Sequence, residues 1–122
     1  MLKLVFCLRR LPHLSQAEFQ RYWREVHAPL VQRHASALHI RRYVQAHTLD
    51  DPLNAALRAG RGADEPFDGV AELWWASRAE FDAATASEAG RAAGLALLED
   101  EQRFIDHARS TLFVATERPV IE

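Results

Sequence analysis

Apolar positions along the chain switch between the two-residue period of strands and the 3.6-residue period of helices, and these switches predict the element order. The first run, Leu2–Leu8, is apolar at nearly every position, which predicts a central strand covered on both faces. Ser15 and Glu18 then form a capping box, and the helix that it opens carries one apolar stripe. The stripe consists of Phe19, Tyr22, Trp23, Val26 and Leu30.

Pro29 interrupts this first helix. Proline lacks an N–H group and disfavours helical geometry at the residue before it, here Ala28. We therefore predict that the helix is kinked or broken just after His27 and resumes through about Ala35.

The remainder of the chain predicts three more strands and a second helical region. The strands are expected at 39–47, which is polar-rich and typical of a sheet edge, at 69–76, which is apolar, and at 111–116. Residues 49–68 form a long loop with one helical turn at 53–59. Ser77 and Glu80 repeat the capping box and open a helix that Gly90 and Gly94 weaken or break. A further helical segment is expected at 100–108.

The order β-α-β-β-α-β predicts an α+β fold, the ferredoxin-like split βαβ, in one domain spanning residues 1–122. Right-handed crossovers place strands 1 and 3 in the centre of a four-stranded antiparallel sheet. Two helices cover only one face, so the other would expose an apolar patch too large for a monomer. We predict a homodimer that closes the two sheets against each other, with a monomer covered by the loop at 49–68 as the alternative.

Composition narrows the classes of function. The chain is 48% hydrophobic and 26% charged, which argues against disorder, and its net charge of -2 gives no basic field for nucleic acid. No run approaches the ~20 apolar residues of a membrane span. The single cysteine, Cys7, suits a reducing compartment, so a cytoplasmic location is predicted.

Three polar side chains are candidates for catalysis. His27 lies at the margin of the apolar stripe, about 80° from Phe19 at ~100° per residue, and can exchange a proton near neutral pH. Glu72 interrupts an apolar strand, either as a catalytic acid or as the partner of an arginine on a neighbouring strand. Tyr43 can donate a hydrogen bond to a carbonyl oxygen. Buried hydrogen bonding for the histidine and a rim position for the tyrosine are the structural alternatives.

Aromatic residues provide candidate contacts to a flat ligand, with core packing as the alternative for each of them. The candidates are Trp23, Trp74, Phe19 and Tyr22, with Trp75 as a further stacking surface. No metal or other cofactor is predicted. His39 and His47 would stand about 26 Å apart on a strand rising ~3.3 Å per residue, and no His or Cys pair has zinc spacing.

Three segments together resemble one protein family. They are Trp23-x-x-x-His27-Ala28-Pro29-Leu30, the stretch from Asp68 to Trp74, and Asp100-Glu101-x-x-Phe104-Ile105-Asp106. In this combination the chain resembles EthD-domain proteins of the dimeric α+β barrel superfamily from about Leu2 to Arg118. The resemblance implies the fold and the dimer. Its superfamily includes polyketide cyclases, decarboxylases, cofactor-free oxygenases and accessory proteins of a cytochrome P450 system; the loop at 49–68 has no assigned counterpart.

Two functions follow as hypotheses. The first is a cofactor-independent lyase or cyclase, in which His27 acts as general acid and base on a hydrophobic aromatic or polyketide-like substrate and Tyr43 or Glu72 polarises a carbonyl. The second is a non-catalytic dimeric protein that binds a small hydrophobic molecule for an oxygenase pathway, with haem binding as a variant.

Overall fold

The computed structural model describes the whole chain, Met1–Glu122, and has a four-stranded antiparallel sheet with helices on one face. The sheet order is β2-β3-β1-β4, so the two apolar strands are central as predicted. The strands are β1 (Leu2–Leu8), β2 (Arg42–His47), β3 (Gly69–Trp75) and β4 (Thr111–Ala115). The ferredoxin-like α+β fold predicted from the sequence is thereby confirmed. No helix is long and apolar enough to cross a bilayer.

Five α-helices and two irregular turns complete the chain. They are α1 (Gln16–Tyr22), a π-helical turn (Trp23–His27), α2 (Ala28–His34), α3 (Pro52–Ala59), α4 (Arg78–Ala86), α5 (Glu88–Glu101) and a 3₁₀ turn (His107–Arg109). The first capping box forms as predicted. The Ser15 hydroxyl accepts from the Glu18 N–H at 3.0 Å, and the Glu18 carboxylate accepts from the Ser15 N–H at 2.9 Å.

Of the two predicted outcomes at Pro29, a kink or a break, the break is wrong, because the chain stays helical through this segment. Ala28 keeps right-handed helical angles (φ −58°, ψ −46°), and its N–H bonds to the Trp23 carbonyl five residues back. A π-turn is wider than an α-turn and is one way for a helix to absorb an irregularity in its ladder. The helix therefore passes Pro29 with one enlarged turn instead of ending after His27.

Other boundaries shift for identifiable reasons. β2 begins at Arg42 instead of residue 39, and α3 spans two turns, since the Asp51 carboxylate caps it by accepting from the Leu53 N–H at 2.8 Å. The helical break falls at Ser87 rather than at either glycine, because Ser87 takes an extended conformation (ψ 155°) and caps α5 through the Gly90 N–H. The segment expected to be helical at 100–108 is α-helical only to Glu101 and enters a 3₁₀ turn at His107. Between them, Ile105 forms a bridge to Arg10.

The two faces of the sheet carry different side chains. Phe6 and Leu8 point toward the helices, where they pack with Phe19, Trp23 and Phe104 in the main core. The opposite face, which we call the outer face, carries the side chains that alternate with these. They are Lys3, Val5, Cys7, Val44, Val70, Glu72, Trp74 and Phe113. The cavity and the outer face therefore take alternate residues of each strand.

Candidate functional site

A cavity of about 200 Å³ lies between the sheet and the helices. Fourteen of its 17 lining residues are hydrophobic, from all four strands and from the π-turn, α2 and α5. Apart from the indole N–H groups of Trp23 and Trp75, the polar groups of the lining side chains are those of His27, Tyr43 and Glu101. Leu112, which also lines the cavity, is 56% exposed, so the cavity reaches solvent beside β4. A few polar groups in an apolar hollow are typical of small-molecule sites.

His27 is the most enclosed of these polar groups. It ends the π-turn and is only 5% exposed. Its Nδ1 lies 2.8 Å from Oδ2 of Asp100, which is buried on α5. Because a carboxylate only accepts, Nδ1 carries the proton and Nε2 holds the lone pair in the neutral ring. Nε2 is thus the nitrogen left for a ligand in the cavity.

Asp100 is held on its other side as well. The Tyr22 hydroxyl donates to Oδ1 of Asp100 at 2.6 Å, and the Arg103 guanidinium lies 3.8 Å from the same oxygen. Burial raises the pKa of Tyr22, and the hydrogen bond to Asp100 raises it further, so the phenol keeps its proton. The imidazole is therefore oriented by a fixed carboxylate.

Tyr43 reaches the cavity from β2. Its hydroxyl oxygen lies 2.8 Å from Nε2 of Gln45, and burial raises its pKa, with the hydrogen bond from Gln45 partly offsetting this. Glu101 lines the cavity from the end of α5, and its Oε1 lies 3.1 Å from Nε2 of His107 in the 3₁₀ turn. Two consecutive residues of α5 thus serve the cavity, Asp100 through its contact with His27 and Glu101 as a lining residue.

The EthD domain family model matches residues 11–108. The chain belongs to the EthD family. An EthD family protein from Bacillus halodurans C-125 has a similar structure (TM-score 0.62, 21% identity, covering 97% of this chain and 99% of that one). So does the N63A mutant of SnoaB, a cofactor-independent oxygenase from Streptomyces nogalater (TM-score 0.54, 18% identity, covering 98% and 95%).

A third solved structure is similar at lower identity. It is a dimeric protein of ferredoxin-like fold from Bacteroides fragilis NCTC 9343 (TM-score 0.59, 7% identity, covering 95% of each chain). No curated protein matches the sequence. At these identities the structural similarities establish a shared fold.

The EthD fold brings some of the predicted site residues together and separates others. Trp23 lines the cavity beside His27, and Tyr43 lines it from the sheet. Phe19 and Tyr22 lie behind the site: Phe19 is fully buried with its ring 5.7 Å from that of Trp23, and Tyr22 reaches Asp100.

Glu72 and Trp74 do not take part in this site. Both lie on the outer face, where Glu72 forms an ion pair with Lys3. Trp74 lies between the Lys3 ammonium at 5.1 Å and the Arg42 guanidinium at 4.5 Å from its ring centre. The expected catalytic role for Glu72 and ligand contact for Trp74 are therefore wrong for this cavity, because alternate strand residues face opposite sides. Trp75 lines the cavity instead.

Sequence reasoning did not place Asp100 or Glu101 in the site. Their signal was present, since they end an α5 sequence that is otherwise rich in Ala and Leu. The pairing of Asp100 with His27 joins positions 73 residues apart, which periodicity alone does not reveal. The structure contains no group of three or more His, Cys, Asp or Glu side chains arranged to hold a metal ion.

Proposed function

We propose that this EthD protein binds a hydrophobic aromatic or polyketide-like molecule in the cavity and acts on it by general acid–base chemistry at His27. The observation that supports this most directly is the buried His27–Asp100 pair at the wall of an otherwise apolar chamber. A carboxylate that holds one ring nitrogen leaves the other free to take and return a proton, and it stabilises the imidazolium that forms. The shared fold with a cofactor-independent oxygenase supports chemistry carried by side chains alone.

The chemistry follows from where charge develops. When Nε2 of His27 removes a proton from a carbon next to a carbonyl, the electron pair moves to the carbonyl oxygen and gives an enolate. A hydrogen bond from Tyr43 to that oxygen stabilises the charge in a largely apolar site. The enolate carbon then attacks a second carbonyl of the same chain, and the alkoxide that forms takes the proton back from the imidazolium, which completes the cyclisation. In decarboxylation His27 first takes the proton of the carboxyl group, the enolate forms as CO₂ leaves the carboxylate, and the imidazolium returns that proton to carbon.

A homodimer is part of the proposal. The outer face carries the apolar side chains of Val5, Val44, Val70 and Phe113, and a second copy would cover them. The dimeric Bacteroides protein with this fold supports the arrangement. Sedimentation should give a particle of twice 13.8 kDa, and a single-chain particle at micromolar concentration would contradict it.

The unpaired thiol of Cys7 fits the reducing cytoplasm that the sequence predicts.

Decarboxylation of benzoylacetate, an aromatic β-keto acid, tests the chemistry. We expect catalysed formation of acetophenone, a loss of roughly 10²–10⁴-fold in rate for His27→Gln, and loss of the limb of the pH–rate profile that reports the imidazole. Glu72→Gln is the matched control, because its side chain is on the outer face and should leave rate and profile unchanged. A His27→Gln variant with the rate and profile of the wild type would remove His27 from the mechanism.

The second candidate is a non-catalytic protein that holds a hydrophobic molecule for an oxygenase pathway. The predominance of apolar residues among the cavity lining favours it. It predicts saturable binding of acetophenone-like compounds with no turnover of any of them, and His27→Gln would then change affinity only. Titration with haem tests the haem-binding variant, since a Soret shift would support it and a spectrum equal to that of free haem would end it.

A further inference from the structure

Three side chains of β2 point to the helix side of the sheet and form a hydrogen-bonded row: Tyr43, Gln45 and His47. Gln45 is at the centre of the row. Its Nε2 lies 3.0 Å from the carbonyl oxygen of Trp23, in the π-turn, and 2.8 Å from the Tyr43 hydroxyl. A backbone carbonyl only accepts hydrogen bonds, so the side-chain nitrogen of Gln45 must face it. The orientation of the amide is fixed by this contact.

The direction of every other bond in the row follows. The amide nitrogen has two N–H groups, and the second donates to the Tyr43 oxygen. The amide oxygen accepts from Nε2 of His47 at 2.8 Å, so that nitrogen carries a proton. Burial lowers the pKa of His47, with Arg24 lowering it further, so the ring is neutral near pH 7 and keeps its proton on Nε2.

This row leaves the Tyr43 proton without a partner in the protein. The Tyr43 oxygen accepts from Gln45, and no protein atom accepts from the Tyr43 hydroxyl. A hydroxyl donates and accepts at once, and a buried one satisfies both capacities when a partner is available. The partner for its proton must then come from what occupies the cavity that Tyr43 lines.

We propose that Gln45 is a positioning residue that makes the Tyr43 hydroxyl a hydrogen-bond donor into the cavity, which selects ligands with a carbonyl oxygen at the β2 wall. This inference rests on the proposed function and makes the substrate class specific. The ligand presents a ketone oxygen to Tyr43 and an acidic C–H or C–CO₂ bond to Nε2 of His27. It is an aryl ketone or a β-keto acid small enough for about 200 Å³.

The test compares acetophenone with α-methylstyrene, in which a CH₂ group replaces the carbonyl oxygen with little change of shape. Equilibrium dialysis gives both dissociation constants, and the readout is how their ratio changes between variants, because the cost of removing each compound from water cancels. Tyr43→Phe should lower the preference for acetophenone by roughly fivefold, the equivalent of about 1 kcal/mol for one hydrogen bond.

Two substitutions of Gln45 separate the direction of its hydrogen bond with Tyr43 from its contribution to packing. In Gln45→Glu the carboxylate only accepts, so it captures the Tyr43 proton and the preference should fall as far as in Tyr43→Phe. In Gln45→Met no group competes for the Tyr43 proton, so most of the preference for acetophenone over α-methylstyrene should remain. Both variants lose the link to Trp23, so a purely structural role for Gln45 would change both ratios alike. Melting temperatures establish which variants are folded. If neither Gln45 variant folds, Tyr43→Phe still tests the donor role, and an unchanged ratio in that variant overturns the inference.

The outcomes are distinct. If the wild type binds both compounds and Tyr43→Phe leaves the ratio of their dissociation constants unchanged, the donor role of the Tyr43 hydroxyl is overturned. The proposed hydrophobic cavity would still stand. A Gln45→Glu ratio equal to that of the wild type overturns the positioning role of Gln45. A wild type that binds neither compound overturns the proposed hydrophobic chamber and this inference with it.

Discussion

Replacing His27 with phenylalanine should destabilise the fold strongly, because it leaves the Asp100 carboxylate buried with one donor fewer. The two residues are 5% and 6% exposed, so water does not take the place of the lost Nδ1–H. Phenylalanine matches the packing of the ring, which lies 5.1 Å from that of Phe104. The change in stability therefore reports the loss of the hydrogen bond between His27 and Asp100, with little change in packing.

The magnitude follows from the contacts that remain. Removing one partner of a buried pair costs about 3–5 kcal/mol. Asp100 keeps the Tyr22 hydroxyl at 2.6 Å and the more distant Arg103, so we expect the lower end, about 3 kcal/mol. Stabilities of single domains are about 5–15 kcal/mol, so the loss is a large share. With an m value of about 2 kcal/mol per M, the urea midpoint should fall by about 1.5 M.

The assay is urea unfolding followed by tryptophan fluorescence, at one fixed protein concentration because unfolding of a dimer depends on it. Asp100→Leu alone should also be destabilising, since it leaves the imidazole without its acceptor. The double variant should recover most of the loss, because an apolar replacement of a buried pair is often neutral. Single variants that each cost under about 1 kcal/mol, or a double variant with additive losses, would refute this account.

Three other predictions test separate parts of the fold. Gly90→Ala should destabilise the protein by more than the roughly 1–3 kcal/mol typical of overpacking, because its Cβ would lie 1.7 Å from the Ala84 carbonyl oxygen. Gly94→Ala, whose Cβ would have nothing within 4 Å, should instead stabilise α5 by roughly 0.5–1 kcal/mol. Thermal unfolding measures both changes. His47 has a folded pKa below its unfolded one, so the unfolded chain binds its proton first as pH falls. Between pH 7 and 5 the wild type should lose more stability in urea unfolding than His47→Phe does; equal losses would contradict this. Glu72→Gln should leave acetophenone affinity unchanged in dialysis, because its side chain faces away from the cavity.

The element order was predictable because local signals and apolar periodicity agreed. The capping box at Ser15 and the N-cap at Ser77 place helix starts to within a residue, although the Glu80 carboxylate contacts His39 instead of completing the predicted second box. The apolar runs of β1 and β3 indicate central strands. The helix was predicted to weaken or break at Gly90 and Gly94, but it breaks at Ser87, because the Ser87 side chain caps the next helix. Gly90 is required by the close approach of α4 to α5, which is a tertiary contact.

Half of the candidate site was predictable for a similar reason. His27 stands out as a polar group beside an apolar stripe, and Tyr43 as an aromatic residue with a hydroxyl group on a polar-rich strand. A strand that is apolar on both faces, however, does not reveal which face meets the helices. The parity of Glu72 with Trp74 indicates that they share a face, and only the three-dimensional register shows that this face is the outer one. Asp100 and Gln45 act through partners far along the chain or through backbone atoms, and no periodic pattern records such contacts.

The π-turn determines which side of the helix its side chains present to the cavity. Trp23, His27 and Val31 line the cavity at intervals of four residues, and in a regular α-helix each such step would advance about 40° beyond a full circle. The enlarged turn takes more residues per revolution than an α-turn, so it removes part of that drift and keeps the three side chains aimed at the same hollow. A regular α-helix over the same residues would turn each successive lining side chain by about 40° around the axis. Over the two steps from Trp23 to Val31 the three side chains would spread over about 80°, so they would no longer share one hollow although every residue of the site would still be present.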